Sequence, residues 1–356
     1  MSALLGRVVV ITGASSGLGR AAAVEFAKRG CALVLAARRA EELERTAQDC
    51  RSLGGPAWCI PTDVTSEVQV LRLAARTLEL LGRIDVWVNN AGVTVFARLH
   101  EVPFREHQRV LDTNLNGAMY GARAVMPIFS RQGHGTLINV GSIVSKIGQP
   151  FVPSYAVSKF ALRGLSEVLR VEYADHPKIH VCLLMPYAID TPHFESGANH
   201  LGRQPHAMPP VQSPEQVAQA LVELAERPRR ERHVPRLAWL GLVLHELMPR
   251  TIERVLLRAL SRWHFAQRLE PDKPGNLLCP APSPGQVHGT RPPLVSTARL
   301  FAWAATELVR IRLRDLAFWL SRAAAWATRA AHGTSSPAAL RLRSAVPITP
   351  SAELGT

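Results

Sequence analysis

Tyr155-Ala-Val-Ser-Lys159 sets a phenol and an ammonium four residues apart, a spacing that puts both on one face of a helix. A free phenol titrates near ~10 and is a poor acid or base at neutral pH, whereas a neighbouring ammonium favours the phenolate and draws that value downward. Ser142 stands upstream, far enough for a loop to bring its hydroxyl back over the start of the helix. Serine, tyrosine and lysine around one oxygen can polarise a carbonyl or deprotonate an alcohol. The same Tyr-x-x-x-Lys spacing also arises on ordinary amphipathic surface helices, so its meaning depends on the elements before it.

Those elements alternate between strand and helix. Residues 8–12 (VVVIT) are a short β-branched apolar run that reads as a strand buried on both faces. Thr12-Gly13-Ala-Ser15-Ser-Gly17-Leu18-Gly19 follows, and then apolar residues recur at helical spacing as far as Gly30. Glycines between a strand and a helix let the backbone approach a pyrophosphate, whose charge lies at the helix N-terminus. No Gly-Lys-Ser/Thr closes the turn, which excludes a Walker P-loop. A second strand over residues 31–37 ends in Ala37-Arg38-Arg39. An NAD-selective fold places an acid there for the ribose 2′-hydroxyl; two arginines suit a 2′-phosphate, unless they merely open the next helix.

A third strand leads to Asp63, which either touches an adenine edge or sits near the cap of the helix that follows. The fourth exits through Asn89-Asn90-Ala-Gly92, either plain turn formers or ligand contacts at the carboxyl edge of the sheet. Asn114 falls within a helical stretch, where asparagine is a modest former; it marks a hydrogen-bonding role or a bend. Strands near residues 136–140 and 179–185 complete six β-α repeats, and 233–234 could add a short edge strand. This alternation predicts an α/β fold with a doubly wound parallel sheet.

Taken together, Thr12-Gly13-x3-Gly17-x-Gly19, Asn89-Asn90-Ala-Gly92, Asn114, Ser142 and Tyr155-x3-Lys159 closely resemble the short-chain dehydrogenase/reductase family, over residues 8–227. The resemblance implies a Rossmann-like fold and hydride transfer between NADP(H) and a carbonyl or secondary alcohol. It makes Tyr155 the general acid/base and Ser142 the holder of the substrate oxygen. Lys159 would lower the tyrosine pKa and hold the nicotinamide ribose, and Asn114 would place a water linking Lys159 to solvent. Gly13, Gly17, Leu18 and Gly19 match the pyrophosphate turn, Asp63 and Asn90 the adenosine contacts, and Ser15 and Arg38 the 2′-phosphate contacts. Ile189 and Thr191 match the positions that bind the nicotinamide carboxamide. One position departs: Pro186-Tyr187 stands where the family commonly has Pro-Gly, and a tyrosine lacks glycine's backbone freedom. Tyr187 is expected either to face the substrate, narrowing the pocket or stacking on it, or to pack on the lid, the loop-like segment 192–212 that covers the substrate in the family. Family members pair through their long helices, so a homodimer or homotetramer is expected. The rival reading is a sensor or scaffold that binds NADP(H) without turnover.

The net charge of +14 is uneven: residues 1–226 hold 22 Lys/Arg against 20 Asp/Glu, and residues 227–356 hold 20 against 8. The basicity therefore belongs to the C-terminal third and not to the chemistry in front of it. Five scattered cysteines show no C-x-x-C or zinc spacing, so reduced thiols and no metal site are expected. His193, His200 and His206, in a Pro/Gly-containing segment, read as ordinary loop residues. With no leader-like start and no long apolar run, a cytoplasmic protein is expected. The expected organisation is a catalytic domain (1–236), a helical extension (237–270), a Pro/Gly-rich linker (271–293), an Arg-rich amphipathic helix (294–332) and a disordered tail (333–356). That helix gathers Phe301, Leu308, Leu316 and Trp319 on one side and Arg310, Arg314 and Arg322 on the other. It could lie on an anionic membrane surface or dock on protein; nucleic acid is not an expected partner, because no recognition motif accompanies the charge. The apolar lid and basic tail suggest a lipophilic substrate of steroid, retinoid or fatty-chain type.

Overall fold

A computed structural model describes residues 3–280 and 285–331; the tail expected to be disordered, 333–356, lies outside the described residues. The apolar runs become seven strands: β1 (Val8–Thr12), β2 (Ala32–Ala37), β3 (Ala57–Pro61), β4 (Val86–Asn89), β5 (Gly135–Val140), β6 (Ile179–Pro186) and β7 (Glu231–Val234). They form one sheet in the order β7-β6-β5-β4-β1-β2-β3, every pair parallel. The expected doubly wound sheet is thus present, with the edge strand at residues 233–234 realised as β7. Chain direction across the sheet reverses between β1 and β4, and their carboxyl ends open a crevice there.

Seven helices follow the strands: α1 (Gly17–Ala27), α2 (Ala40–Ser52), α3 (Glu67–Leu81), α4 (Phe104–Leu111), α5 (Gly117–Gln132), α6 (Pro153–Glu172) and α7 (Pro214–Glu226). Alternate residues of β1 divide the core. Val9 and Ile11 pack with α1, α2 and α7, while Val10 packs with α3 and α5 on the opposite face. Burial on both faces explains why these strands read as continuous apolar runs without alternation. Ser66, not Asp63, caps α3 by accepting from the Gln69 amide. Ser213, Pro214 and Gln216 form the expected capping box on α7. A π-turn at Asp112–Asn116 joins α4 to α5 and carries Asn114.

The extension forms α8 (Ala238–Leu247) and α9 (Pro249–Trp263). Residues Phe265–Leu269 then pair antiparallel with Arg203–Pro205, so the helical extension expected to residue 270 ends in a strand. A long helix, α10, spans Thr297–Ala331. The chain divides into two compact units, Met1–Ala305 and Thr306–Thr356. In the first, Trp303 meets Trp263 edge-on, ring centroids 4.8 Å apart. In the second, α10 exposes Leu313, Leu316, Trp319 and Trp326. Among the described residues no helix is long and apolar enough to cross a membrane.

Candidate active site

The β1–α1 turn is built so that backbone can approach backbone. Gly13 has φ +69°, and a Cβ on Gly19 would stand 2.1 Å from the Gly13 carbonyl oxygen. A side chain at Gly19 would therefore break the turn. Thr12 ties the turn to the end of β4: its hydroxyl donates to the Val88 carbonyl at 3.2 Å and accepts from the amides of Asn90 and Ala91 at 3.0 and 3.2 Å. The Asn90 side-chain amide donates to the carbonyls of Thr12 (2.9 Å) and Gly13 (3.3 Å). Asn90 thus shapes the turn itself. Asn89 points the other way, to Asn139 at 2.9 Å within the sheet's helix-covered face. Ser16 caps α1 without a side-chain bond, so the first-turn amides depend on backbone or on a ligand.

A cleft of about 440 Å³ runs from this turn along the carboxyl ends of the strands. It is lined by Gly13, Ser15, Gly17, Leu18, Gly19, Arg38, Asp63 and Asn90 at one end, and by Ser142, Tyr155, Lys159, Tyr187, Ile189 and Thr191 at the other. Every residue expected to bind cofactor or substrate therefore lines one continuous surface. Asn114 stands behind it. Its side-chain amide donates to the Val93 carbonyl and the Ser158 hydroxyl, both at 3.0 Å, and its oxygen accepts from the Val93 amide at 2.8 Å. Ser158 in turn donates to the Tyr155 carbonyl at 2.7 Å, so Asn114 braces the helix turn that carries the tyrosine.

The electrostatics of the pair differ from the sequence expectation. The Lys159 ammonium donates to the Val140 carbonyl at 2.7 Å and lies 5.4 Å from the centre of the Tyr155 ring. Burial, opposed only by a hydrogen bond from Ser142, pushes the Tyr155 phenol up to about 12. Burial pushes Lys159 down to about 8. Desolvation is the largest cause of both shifts. The phenol holds its proton at neutral pH.

Tyr187 lines the cleft and adopts no left-handed backbone, so the family's glycine is not needed for the turn here. Its amide donates to the Val234 carbonyl at 2.8 Å, which extends the β6–β7 ladder, and burial raises its phenol to about 12. His193, read as a loop residue, is in the cleft, its ring centre 5.5 Å from that of Tyr155. Burial, then the Lys159 charge, lowers the imidazole to about 4. Phe96, Phe194, Leu256, Leu260 and His264 make the wall beyond Tyr155 predominantly apolar. The last three come from α9 and its C-terminal end, whose amphipathic pattern gave no sign of which cavity it covers.

At the other end Arg38 does not project freely. Its guanidinium donates to the main-chain carbonyls of Asn276 at 2.7 Å and of Leu277 and Leu278 at 3.3 Å. Asp63 pairs with Arg109 at 2.9 Å and accepts from the amide and hydroxyl of Thr65. Burial alone would raise the Asp63 carboxyl; those bonds hold it below its ordinary value.

Residues 7–201 match the family model described as short chain dehydrogenase. The chain belongs to the short-chain dehydrogenase family. This short-chain dehydrogenase is 34% identical over 325 residues to the uncharacterized oxidoreductase YxnA of Bacillus subtilis, covering 85% of this chain and 91% of that protein. It is 36% identical over 190 residues to 11-beta-hydroxysteroid dehydrogenase 1A of Arabidopsis thaliana, covering 53% of this chain and 54% of that protein. Among solved structures it resembles an alcohol dehydrogenase from Thermococcus sibiricus complexed with 5-hydroxy-NADP, with TM-score 0.57, 30% identity, and coverage of 64% of this chain and 95% of that one. It also resembles a Burkholderia phymatum family member in complex with NAD, with TM-score 0.62, 26% identity, and coverage of 69% and 95%. The similarity to YxnA extends beyond the residues matched by the family model, since it covers 85% of this chain.

Proposed function

We propose that this short-chain dehydrogenase is an NADP(H)-dependent oxidoreductase acting on a lipophilic carbonyl or secondary alcohol. The observation that carries the reading is one cleft with Arg38 at one end and Ser142, Tyr155 and Lys159 at the other. The glycine turn suits a pyrophosphate, because no Cβ stands between its amides and an approaching anion. Arg38 offers the planar donor set that suits a phosphate, while no acid at Ala37 favours a bare ribose. When bound, the nicotinamide supplies the hydride to a carbonyl carbon, or takes it from an alcohol.

The chain's own residues manage the proton and the oxygen. In reduction Tyr155, which keeps its proton at neutral pH, gives it to the substrate oxygen as that oxygen gains charge. Ser142 holds the same oxygen, and the Lys159 ammonium favours the phenolate left behind. In oxidation the proton moves the other way. The apolar wall from Phe96 to Leu260 excludes water and favours a hydrocarbon body on the substrate. The hydroxysteroid dehydrogenase named above supports the steroid type among lipophilic substrates.

The finer expectations rest on the family and on chemistry. A homodimer or homotetramer follows from the family's pairing through helices equivalent to α5 and α6. Peripheral attachment to a membrane surface through the basic α10 suits a cytoplasmic enzyme with an apolar substrate. A screen of NADPH oxidation over steroid, retinoid and long-chain aldehydes and ketones tests the activity. Turnover that survives Tyr155→Phe would overturn the assignment of the tyrosine, and NADPH binding without any turnover would favour the sensor reading.

A further inference from the structure

The described parts of residues 271–293, Pro/Gly-rich and expected to be a linker, are fastened at two places on the glycine-turn end of the cleft. At residues 276–278 the carbonyls take the Arg38 guanidinium, and Arg109 also donates to Leu277 at 3.1 Å. The Leu277 side chain is fully buried among Val93, Val95, Val102, Val110 and Ala198. At the glycine turn the Gly17 amide donates to the Gln286 carbonyl at 2.8 Å. The Gly285 amide donates to Glu42 at 2.8 Å, and Arg20 donates to the Gly285 carbonyl at 2.5 Å. Farther on, His288 lies 3.0 Å from the carboxylates of both Asp190 and Glu215. Arg291 pairs with Glu270 at 2.7 Å.

Two of these contacts fall on groups that the dinucleotide reading needs. Arg38 is the expected 2′-phosphate ligand, and Gly17 supplies one of the first-turn amides of α1. Both are held by neutral carbonyls. A phosphate would replace the neutral Gly17 bond with a charge-assisted one, roughly twice as strong, and would give the Arg38 cation an anionic partner in place of neutral carbonyls, so it can take these donors from the chain. Leu277 and the ion pairs around residue 288 make release costly enough for the closed form to persist.

We propose that the segments 276–278 and 285–291 form a strap that gates the dinucleotide cleft, releasing Arg38 and Gly17 when NADP(H) enters. The gate rests on the cofactor reading above. Closure lowers the apparent affinity by the fraction of open molecules, so a strap open one tenth of the time weakens binding about tenfold. Entry is slowed in the same proportion, below the ~10⁵–10⁷ M⁻¹s⁻¹ usual for association without a conformational step.

Gly285→Val tests this without altering any group expected to touch the cofactor. Its Cβ would stand 2.3 Å from the Ser15 carbonyl oxygen, which belongs to the glycine turn and cannot yield cheaply, so the strap must lift. Glu42→Ala removes the Gly285 anchor without adding bulk and covers the case in which the valine variant folds badly. NADPH binding to the full chain is followed by stopped-flow fluorescence, and amide exchange over 285–291 is followed with and without NADPH. The expected result is an association rate at least about tenfold higher in Gly285→Val and several-fold higher in Glu42→Ala, with 285–291 exchanging faster in the NADPH complex. Unchanged association in both folded variants, or slower exchange over 285–291 on binding, overturns the strap alone. Absence of NADPH and NADH binding to wild type and both variants by calorimetry overturns the cofactor reading and the strap with it.

Discussion

The Lys159 ammonium sits 5.4 Å from the centre of the Tyr155 ring while donating its hydrogen bond to the Val140 carbonyl. The lysine is thus anchored to β5 and presents its charge across the ring. With the phenol pushed up to about 12 and the ammonium down to about 8, the pair enters a reduction with both protons in place. Tyr155→Phe should lower kcat for carbonyl reduction by about 10²–10⁴-fold with little change in NADPH binding. As pH rises through about 8 the folded enzyme loses the Lys159 charge. kcat/KM for reduction should then be flat below that pH and fall above it, and Lys159→Met should remove the limb along with most of the rate. A pH profile of both proteins checks this.

Arg38 should decide which dinucleotide is used. A hydrogen bond to a charged partner contributes about 1.5–3 kcal/mol, so Arg38→Gln should raise KM for NADPH by roughly 10–100-fold. Losing the strap's carbonyl contacts acts on both cofactors alike, so the ratio of the NADPH and NADH effects is the readout. Equal changes for the two would defeat the 2′-phosphate assignment.

Gly19→Ala should disable the turn. Its Cβ would lie 2.1 Å from the Gly13 oxygen and 2.7 Å from the Asn90 amide nitrogen. The turn must open to accept it, at a cost of at least about 2 kcal/mol by analogy with overpacked cores. Chemical denaturation should show the loss, and calorimetry should show NADPH binding abolished.

Acid should weaken the fold through His264. Its ring is 2% exposed, packed against Phe265 at 4.6 Å, and burial lowers it to about 4. The unfolded chain takes a proton near ~6.5, so between there and about 4 the unfolded state binds more protons and stability falls as pH falls. The melting temperature should decline from pH 7 to pH 4.5, and His264→Phe should show a shallower decline over the same interval.

Much of the fold was legible because it is written locally. The β-branched runs, the glycine turn after the first, and the Ser213–Gln216 capping pattern each specify their own geometry. The parallel, doubly wound sheet followed from the alternation of strands with helices. Other features depend on distant partners. Arg38 is visible as a charge, but its partners at residues 276–278 are backbone carbonyls, which every residue carries and no pattern marks. His193 reads as a loop residue because its segment contains Gly and Pro and its histidines show no metal-ligand pattern; a single turn of helix at His193–Ser196 brings its ring beside that of Tyr155. Asp63 could be placed near a cap or an adenine, whereas Arg109, 46 positions on, is its partner. The tyrosine's pKa also lay beyond sequence, since burial is a property of the whole assembly.

The contacts between Arg38 and Asn276, Glu42 and Gly285, and Arg20 and Gly285 join positions 238, 243 and 265 apart in the chain. During synthesis the sheet, the glycine turn and Tyr155 emerge from the ribosome before residue 285 does. A nascent chain therefore has its cleft open, with Arg38 and Gly17 unclaimed, for the time needed to translate the remainder. At ~5–20 residues per second, the fifty or so residues between β7 and Gly285 take several seconds. If the proposed strap holds, the order of synthesis would give NADP(H) access to the cleft before the chain can compete for the same donors.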